Sequence, residues 1–391
     1  MNDNKLSLLR PDEALFRIQR VVSQMNACGA GELLIADNAD KYYLTGRVFA
    51  GWLSVLADGR VHAYVRRPVH LVGDDVTFVR KPEEIPVTAD VVGLELSTLS
   101  AADYIRLSAM LGSRRVVDAS GIMRRARAVK SPYEIEKLSE SGRRQDEVYR
   151  TIPALYRPGM TDLDLQIEIE RALRLAGCLG QFRICGDSME LFMGNILVGD
   201  NADNPTPYDF AMGGAGVDPS LPVGADGTVI APGNSVMVDA NGNFNGYMTD
   251  MTRTFALGSL IDDAMRAHAC SIEICSRLAQ SGVPGAKASD LYAEAASMAA
   301  EAGLSDFFMG HRQHAGFVGH GVGIEINEAP VIAPRSKDIL EKGNVIALEP
   351  KFVIPGVGAV GIENTYVVED NGLRCLTLAP QEILPLDNCA E

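Results

Sequence analysis

The chain has 391 residues, which exceeds what one ordinary hydrophobic core organises, so two domains are expected. Hydrophobic residues make up 47% of the chain and charged residues 22%, proportions typical of a globular protein that folds in water. The formal net charge of −15 argues against nucleic acid and against anionic membrane surfaces as partners.

The N-terminus and the cysteines indicate the compartment. No stretch near the N-terminus has the uninterrupted apolar run of a signal peptide, and no window reaches the roughly 18 apolar residues of a membrane helix. The cysteines form no CxxC pair, and their number, seven, is odd. Reduced, mostly buried thiols fit that pattern better than a disulfide framework, so we expect a cytoplasmic protein. The seven are Cys28, Cys178, Cys185, Cys270, Cys275, Cys375 and Cys389.

The first part of the chain alternates helical and strand-like patterns. Residues 12–29 predict an amphipathic helix that stops at a glycine. The stretch "WLSVLADGRVHAYVRR" predicts a hairpin about Asp58-Gly59. Two further apolar pieces, "VVGLEL" and "RRVVDA", flank the helical pattern "SAADYIRLSAMLG". This alternation predicts an α/β domain over residues 1–123.

Residues 124–391 predict a second domain in which helices precede hairpins. Helices are expected after the caps Ser131 and Thr161, and again around 260–280 and 288–303. Residues 186–235 are rich in Gly, Pro, Asn and Asp and predict long loops. Each half of this domain has helices followed by a hairpin that carries two acidic residues, which indicates a weak internal two-fold repeat.

The first of these hairpins is "VMVDANGNFNGYMTDMTRTF", in which Asp239 and Asp250 lie on opposite arms. Their midpoint falls between Phe244 and Asn245, inside the turn, so symmetric pairing would set the two carboxylates face to face. A buried carboxylate is costly unless it is paired or binds a metal. A single acid pair of this kind is more often a solvated strand edge than a functional site.

The second hairpin, "NVIALEPKFVIPGVGAVGIENTYVV", repeats the arrangement. Glu349 and Glu363 are centred on Gly356 in the turn "IPGVG", so symmetric pairing sets them face to face as well. Like charges directly opposite each other are destabilising. Two such pairs, in strands rich in Val, Ile, Met and Phe, therefore predict a cation between them.

A histidine completes the set. His320 lies in "GHGVG", where the flanking glycines let backbone and metal approach closely, although a lone histidine is more often a core or surface residue. Four carboxylates and one imidazole suit Mn, Fe, Co or Zn better than Mg. Five ligands are too many for one catalytic zinc with an open position, and they suit two ions about 3.5–4 Å apart that activate a bridging water.

The ligand order Asp239, Asp250, His320, Glu349, Glu363, in "YMTDMTRTF", "GHGVGIE", "EP" and "GIENTYVV", resembles the creatinase/prolidase/methionine aminopeptidase family, the pita-bread metallohydrolases. The resemblance runs from about residue 124 to the end, and "DNADKYYLTG" resembles the N-terminal domain of its aminopeptidase P and prolidase branch. It implies an α/β (α+β) protein: a creatinase-type domain, residues 1–123, and a pita-bread catalytic domain, residues 124–391.

The resemblance also implies a chemistry. The five residues would hold two divalent ions, with Mn foremost and Co, Fe or Zn as alternatives, and Glu349 would also shuttle the proton of the attacking water. Peptidases of this family cleave the amide bond before proline in short peptides, often as homodimers.

Two histidines that such peptidases usually carry are missing. The position seven residues after His320 is Asn327, in "EINEAP", and no histidine lies between His70 and His268. In the family these imidazoles bind the substrate carbonyl or carboxylate. Asn327 can donate a hydrogen bond but cannot carry a proton, and loss of one oxyanion donor costs roughly 2.7–4 kcal/mol. A weaker peptidase or a different substrate is one reading of this change.

Other residues could replace the missing imidazoles or support the ligands. We name Asn327 and His314 as substrate-contacting residues beside Glu349; His311 is a second possibility, and plain loop histidines are the alternative. Arg253 could orient Asp250, with a surface ion pair as the alternative. The glycine-rich stretch "MGGAGVDP" is expected to line the substrate cleft.

Two other function classes remain open at this point. The same site could act on a non-peptide substrate, as an ectoine-like hydrolase or a carbon–sulfur lyase; creatine-type hydrolysis is disfavoured because it depends on a catalytic histidine. Alternatively, the fold could serve as a non-catalytic binding protein. Such relatives usually lose the metal ligands, whereas this chain keeps all five.

Overall fold

The structure is a computed structural model, and it describes residues 4–184, 193–208 and 210–386. The chain divides into two compact units, residues 1–128 and 129–391. The boundary expected at residue 123 therefore falls inside the last helix of the first unit, which runs on for five more residues because its buried face continues to Ala126 and Ala128.

The first unit is a six-stranded mixed sheet with helices. Its strands lie in the order β4-β3-β2-β1-β5-β6; β1 is antiparallel to β2 and parallel to β5. The hairpin predicted about Asp58-Gly59 is present as β2 and β3. The elements are α1 (Pro11–Cys28), β1 (Glu32–Ile35), α2 (Asn38–Thr45), β2 (Ala50–Leu56), β3 (Val61–Arg67), β4 (Val76–Phe78), β5 (Val91–Leu94), α3 (Ala101–Leu111), β6 (Arg115–Asp118) and α4 (Ser120–Ala128).

Local chemistry in the first unit explains its helix ends. Helix α1 has proline in its first turn and ends at Gly29, whose φ of 72° closes the helix in the left-handed conformation that glycine adopts readily. Helix α3 begins at Ser100, whose side chain accepts from the Asp103 N–H.

The second unit contains the remaining elements. They are α5 (Pro132–Tyr149), α6 (Ile152–Leu155), α7 (Asp162–Leu175), β7 (Gly194–Val198), β8 (Ser235–Asn243), β9 (Met248–Ala256), α8 (Asp262–Ser281), α9 (Ala288–Glu301), β10 (Gly319–Gly321), β11 (Glu328–Ile332), β12 (Val345–Leu348), β13 (Lys351–Ile354), β14 (Gly358–Gly361), β15 (Asn364–Glu369), β16 (Gly372–Cys375) and β17 (Leu384–Pro385). Ser131 and Thr161 cap α5 and α7 as predicted, each in a reciprocal capping box.

Three sheets make up the strand framework of this unit. One has the order β17-β9-β8-β7, a second has the order β11-β10-β12-β15-β16, and β13 pairs with β14. Helices α8 and α9 pack on residues of β12 to β15, and α5 and α7 pack on β7 to β9. Each of the two acid-bearing hairpins therefore packs against a pair of helices through an apolar core.

One strand appears where the sequence predicted only loops. Residues 194–198, "GNILV", form β7, which pairs with β8 and is buried along its whole length. The glycine-rich surroundings hid this short apolar run, because a run of five residues gives no periodicity by itself. Part of the predicted loop region, residues 186–192 and 209, lies outside the described residues.

The described cysteines are Cys28, Cys178, Cys270, Cys275 and Cys375, and all five are free thiols. Cys28 and Cys375 are half-buried and the other three are buried, as expected; Cys185 and Cys389 lie outside the described residues. Within the described part of the chain, none of the helices combines the length and apolarity needed to cross a bilayer.

Candidate metal centre

Five ligand positions identified in the sequence come together in the second unit. Asp239 lies on β8, Asp250 on β9, His320 on β10, Glu349 directly after β12, and Glu363 directly before β15. They form two overlapping groups, Asp250 with His320 and Glu363, and Asp239 with Glu349 and Glu363; ligand atoms within each group lie within 4.8 Å of one another.

The aspartates do not face each other as predicted. Asp239 pairs with Thr252, and Asp250 pairs with Asn241, so the two carboxylates are diagonal neighbours on one face of the ladder. The turn is centred on Asn245-Gly246, one residue later than the midpoint of the acids, and Gly246 has a φ of 91°. Asn-Gly is a strong turn signal, because it accommodates positive φ at little cost, and it sets the register here.

The glutamates do lie at matching positions, as predicted. Strands β12 and β15, and strands β13 and β14, share one register centred on Gly356. Glu349 and Glu363 occupy the break between the two ladders. There the Glu349 N–H donates to Val318 O and the Glu363 N–H donates to Thr252 O, so the backbone changes partners where the ligands are needed.

The first group fits a divalent metal ion. Burial and the charge of Asp239 raise the pKa of the Asp250 carboxyl to about 7. Burial and the charge of Asp250 likewise raise the pKa of Glu363 well above its ordinary value. Among the described residues, nothing hydrogen-bonds to the buried Glu363 Oε1. A divalent cation would relieve this crowding of buried carboxylates, which is the condition that metal ligands satisfy.

His320 is oriented as a ligand. Its Nδ1 lies 3.1 Å from Gly321 O, and its Nε2 lies 3.4 Å from Glu349 Oε1 and 3.8 Å from Asp250 Oδ2. When Nδ1 carries the proton, the Nε2 lone pair points at the carboxylates. Burial opposes the charged form, but Glu349 and Asp250 outweigh it and raise the pKa of His320 to about 8.

The second group already contains a cation that the sequence analysis missed. Lys351 Nζ lies 2.8 Å from Asp239 Oδ2, 2.8 Å from Glu349 Oε2 and 3.1 Å from Glu363 Oε2. Its side chain is 0% exposed. Burial alone would raise the pKa of the Glu349 carboxyl, but the charges of Lys351 and His320 lower it to about 2. The signal was available: Lys351 follows Glu349 by two residues, and side chains two apart share a face in extended chain.

Arg253 and Thr252 support Glu363 rather than Asp250. The buried Arg253 guanidinium donates to Glu363 O, Asn364 Oδ1, Thr252 O and Ala379 O. These hydrogen bonds correct both expectations for Arg253: it does not orient the Asp250 carboxylate, and it does not form a surface ion pair. Thr252 Oγ1 donates to Glu363 Oε2 at 2.8 Å, which orients that ligand.

A cleft lined by both metal-binding groups opens to the surface of the second unit. Its described lining consists of the five ligand residues, the aromatic and aliphatic side chains Phe182, Phe210, Phe317 and Ile326, the polar residues Asn195, Asn241 and Asn327, and Gly194, Ala211 and Ala240. Asn327, predicted to contact substrate, is thus in place. Asn195 and Asn241 were missed, since strand pairing with Asp239 and Asp250 brings them there.

The other expected substrate contacts are not brought to the cleft. His314 is exposed, its Nδ1 lies 2.9 Å from Phe308 O, and His311 instead contacts Asp203. The stretch "MGGAGVDP" does not line the cleft. It lies beside the cleft, because Met212 O accepts a hydrogen bond from the side-chain amide of Asn195, which does line it. The spacing of histidines in a loop does not determine where their side chains point, which is why the predicted contact of His314 with substrate is not found.

A cleft that ends in buried carboxylates and an imidazole, carried by paired hairpins, defines a metallohydrolase. The sequence of residues 136–370 matches Metallopeptidase family M24. The sequence of residues 17–129 matches the Creatinase/Prolidase N-terminal domain. Because the first match spans more than half of the chain, the protein belongs to metallopeptidase family M24. The expected two-domain organisation, creatinase-type followed by pita-bread, is confirmed.

Individual relatives agree with the family. The chain is 26% identical to the uncharacterized peptidase YqhT of Bacillus subtilis, over 95% of this chain and 100% of that protein. It is 25% identical to the Xaa-Pro dipeptidase of Pyrococcus furiosus, over 94% and 99%. The prolidase structure from Pyrococcus horikoshii superposes with a TM-score of 0.77 at 21% identity, covering 94% and 99%. These matches favour neither a non-peptide hydrolase or lyase nor a non-catalytic binding protein.

Proposed function

We propose that the chain is an Xaa-Pro peptidase that cleaves the amide bond before proline in dipeptides or other short peptides. The observation that carries this proposal is a cleft whose apolar walls, Phe182, Phe210 and Phe317, lead to buried metal-binding groups. Relatives named Xaa-Pro dipeptidase support the same substrate class.

The metal is proposed to be Mn, with Co, Fe or Zn as alternatives, because the donors are carboxylates and one imidazole. When bound by Asp250, His320 and Glu363, a divalent ion supplies Lewis-acid polarisation and lowers the pKa of water. The sequence predicted two ions held by the five residues together, and that number stays a prediction.

Glu349 is proposed to take the proton of the attacking water and return it to the leaving proline nitrogen. It is buried, and the positive charge of Lys351 lowers its pKa and keeps it ionised, so it enters the reaction as a base. Its Oε2 lies 2.8 Å from Lys351 Nζ and its Oε1 lies 3.4 Å from His320 Nε2, which fixes the carboxylate in one orientation.

Asn327 is proposed to donate its amide N–H to the substrate carbonyl oxygen. It is half-buried in the lining of the cleft, and within the described residues no hydrogen bond engages its side chain. A neutral amide stabilises developing negative charge less than an imidazolium does, so we expect modest turnover. His314 has no support from the geometry for such a role.

We also propose a homodimer in the cytoplasm. The free thiols Cys28 and Cys375, both partly accessible, fit a reducing compartment. The homodimer rests on the resemblance to prolidases, and size-exclusion chromatography with light scattering tests it.

The first experiment is hydrolysis of a panel of Xaa-Pro dipeptides and Xaa-Pro-Yaa tripeptides by Mn-, Co-, Fe- and Zn-loaded protein. We expect turnover with at least one ion, and loss of that turnover in Asp250→Ala, which removes a carboxylate from the metal group. Well-folded, metal-loaded protein that cleaves no member of the panel would refute the proposal.

A further inference from the structure

The two metal-binding groups differ in what they already hold. Around Asp250, His320 and Glu363 no lysine or arginine side chain within the described residues forms an ion pair with Asp250, and Glu363 Oε1 lacks a partner. Around Asp239, Glu349 and Glu363 the Lys351 ammonium contacts all three carboxylates. One group is short of a cation and the other has one.

The Lys351 ammonium is fully used where it lies. An ammonium has three hydrogens and no acceptor, and its three contacts here, at 2.8, 2.8 and 3.1 Å, are one to each carboxylate. Divalent metal ions bind the same type of oxygen at about 2.0–2.6 Å. An ion drawn to Asp239, Glu349 and Glu363 together would therefore need the space that Nζ fills.

The backbone holds the lysine in this position. Lys351 pairs with Gly361 across the β13–β14 ladder, and its carbonyl accepts from the Met309 N–H at 2.8 Å. A side chain at Gly361 would meet Pro350 O at 2.8 Å, so the two strands approach closely here. The Lys351 side chain is 0% exposed, so it is enclosed on all sides where it lies.

A second ion would also meet the positive charge of Lys351. It would have to lie beside the ammonium, which already contacts Asp239, Glu349 and Glu363. Like charges a few ångströms apart in a buried site repel strongly. The lysine and a second ion are thus mutually exclusive occupants.

We infer that this chain binds a single divalent ion, at Asp250, His320 and Glu363, and that the Lys351 ammonium takes the place of the second ion. This inference rests on the metal-dependent function proposed above and replaces the two-ion expectation drawn from the sequence. It makes Lys351 a positioning residue that holds Asp239, Glu349 and Glu363 around a fixed charge.

The test is the metal count of wild-type protein loaded with excess Mn²⁺ and desalted, measured by mass spectrometry, with electron paramagnetic resonance on the same sample. We expect one ion per chain and the spectrum of an isolated Mn²⁺. Lys351→Ala opens the second group, so it is expected to bind two ions and to show a spin-coupled pair. Lys130→Ala is the matched control, because it removes another buried lysine, paired with Glu328, and should leave the count at one.

Folding of the variant is controlled separately. Lys351→Ala leaves three buried carboxylates without their cation, so its melting temperature should fall in chelator and recover in Mn²⁺, while wild-type protein shifts less. The double variant Lys351→Ala/Asp239→Asn should return to one ion. If Lys351→Ala does not fold even with Mn²⁺, the count and spectrum of the wild type decide.

Two ions or a coupled spectrum in the wild type would overturn the inference, and so would a single ion in folded Lys351→Ala. No ion in the wild type would overturn both this inference and the proposed function. One ion in a protein that cleaves no Xaa-Pro peptide would keep the inference and remove only the peptidase assignment, since the metal count needs no substrate.

Discussion

The β8–β9 hairpin and the hairpin that runs from β12 to β15 each bring two acids to the centre, but in different ways. In the first, the ladder is unbroken and the aspartates are diagonal. In the second, the ladder breaks at the ligands, which lie at matching positions, and the strand after the break supplies Lys351. The first hairpin supplies two carboxylates and no basic side chain to the centre, whereas the second supplies two carboxylates and the Lys351 ammonium. Similar spacing of acidic residues therefore does not imply similar roles.

The largest expected effect comes from separating the two hairpins. Arg253, on β9, donates to Glu363 O and Asn364 Oδ1 on the other hairpin and to Ala379 O. Arg253→Ala leaves these buried acceptors unpaired and should destabilise the protein by about 3–5 kcal/mol, as measured by urea unfolding. Arg253→Lys should recover only part of this, because an ammonium lacks the fork geometry. Loss below about 1 kcal/mol would show that the hairpins do not depend on this contact.

A somewhat smaller effect lies outside both hairpins. Asn327→Ala removes the proposed donor to the substrate carbonyl and should lower kcat by about 10²–10³-fold with the metal count unchanged. Steady-state kinetics on the best Xaa-Pro substrate measures this, and Asn327→His should exceed wild-type activity. An unchanged kcat in Asn327→Ala would assign the role to another group, with Asn195 and Asn241 next in position.

The smallest effect concerns one hydroxyl between the hairpins. Thr252→Val removes the hydrogen bond to Glu363 Oε2 and should weaken metal affinity by about 10–100-fold, which titration calorimetry with Mn²⁺ measures. Thr254→Val is the matched control, because Thr254 is buried on the same strand but donates to Gly361 O and to no ligand. Equal losses in the two variants would mean that general packing, and not the ligand contact, sets the affinity.

Sequence reasoning succeeded where local chemistry decides the structure. The caps Ser131 and Thr161 and the symmetric turn at Gly356 are specified by a few neighbouring residues, and the structure has them as predicted. The five ligands were found because their residue types and order are specific in combination, and they do lie together.

The errors arose where pairing between distant residues decides. Acid spacing alone misplaced the first turn by one residue, because the Asn245-Gly246 signal was not given precedence over symmetry. A lysine opening the apolar strand "KFVI" reads in sequence like a solvated edge residue, and only the fold shows that Lys351 points into the acids. Asn195 reaches the cleft through a pairing with Asp239, forty-four residues away in sequence.

The Lys351 ammonium also bears on how the chain matures in a cell. Buried carboxylates without compensation oppose collapse of the domain, and a site built only from acids and an imidazole would depend on an ion for that compensation. Because one positive charge is part of the polypeptide itself, the domain can close around most of its acids during synthesis. We therefore expect metal supply to limit when the enzyme becomes active, and not whether it folds.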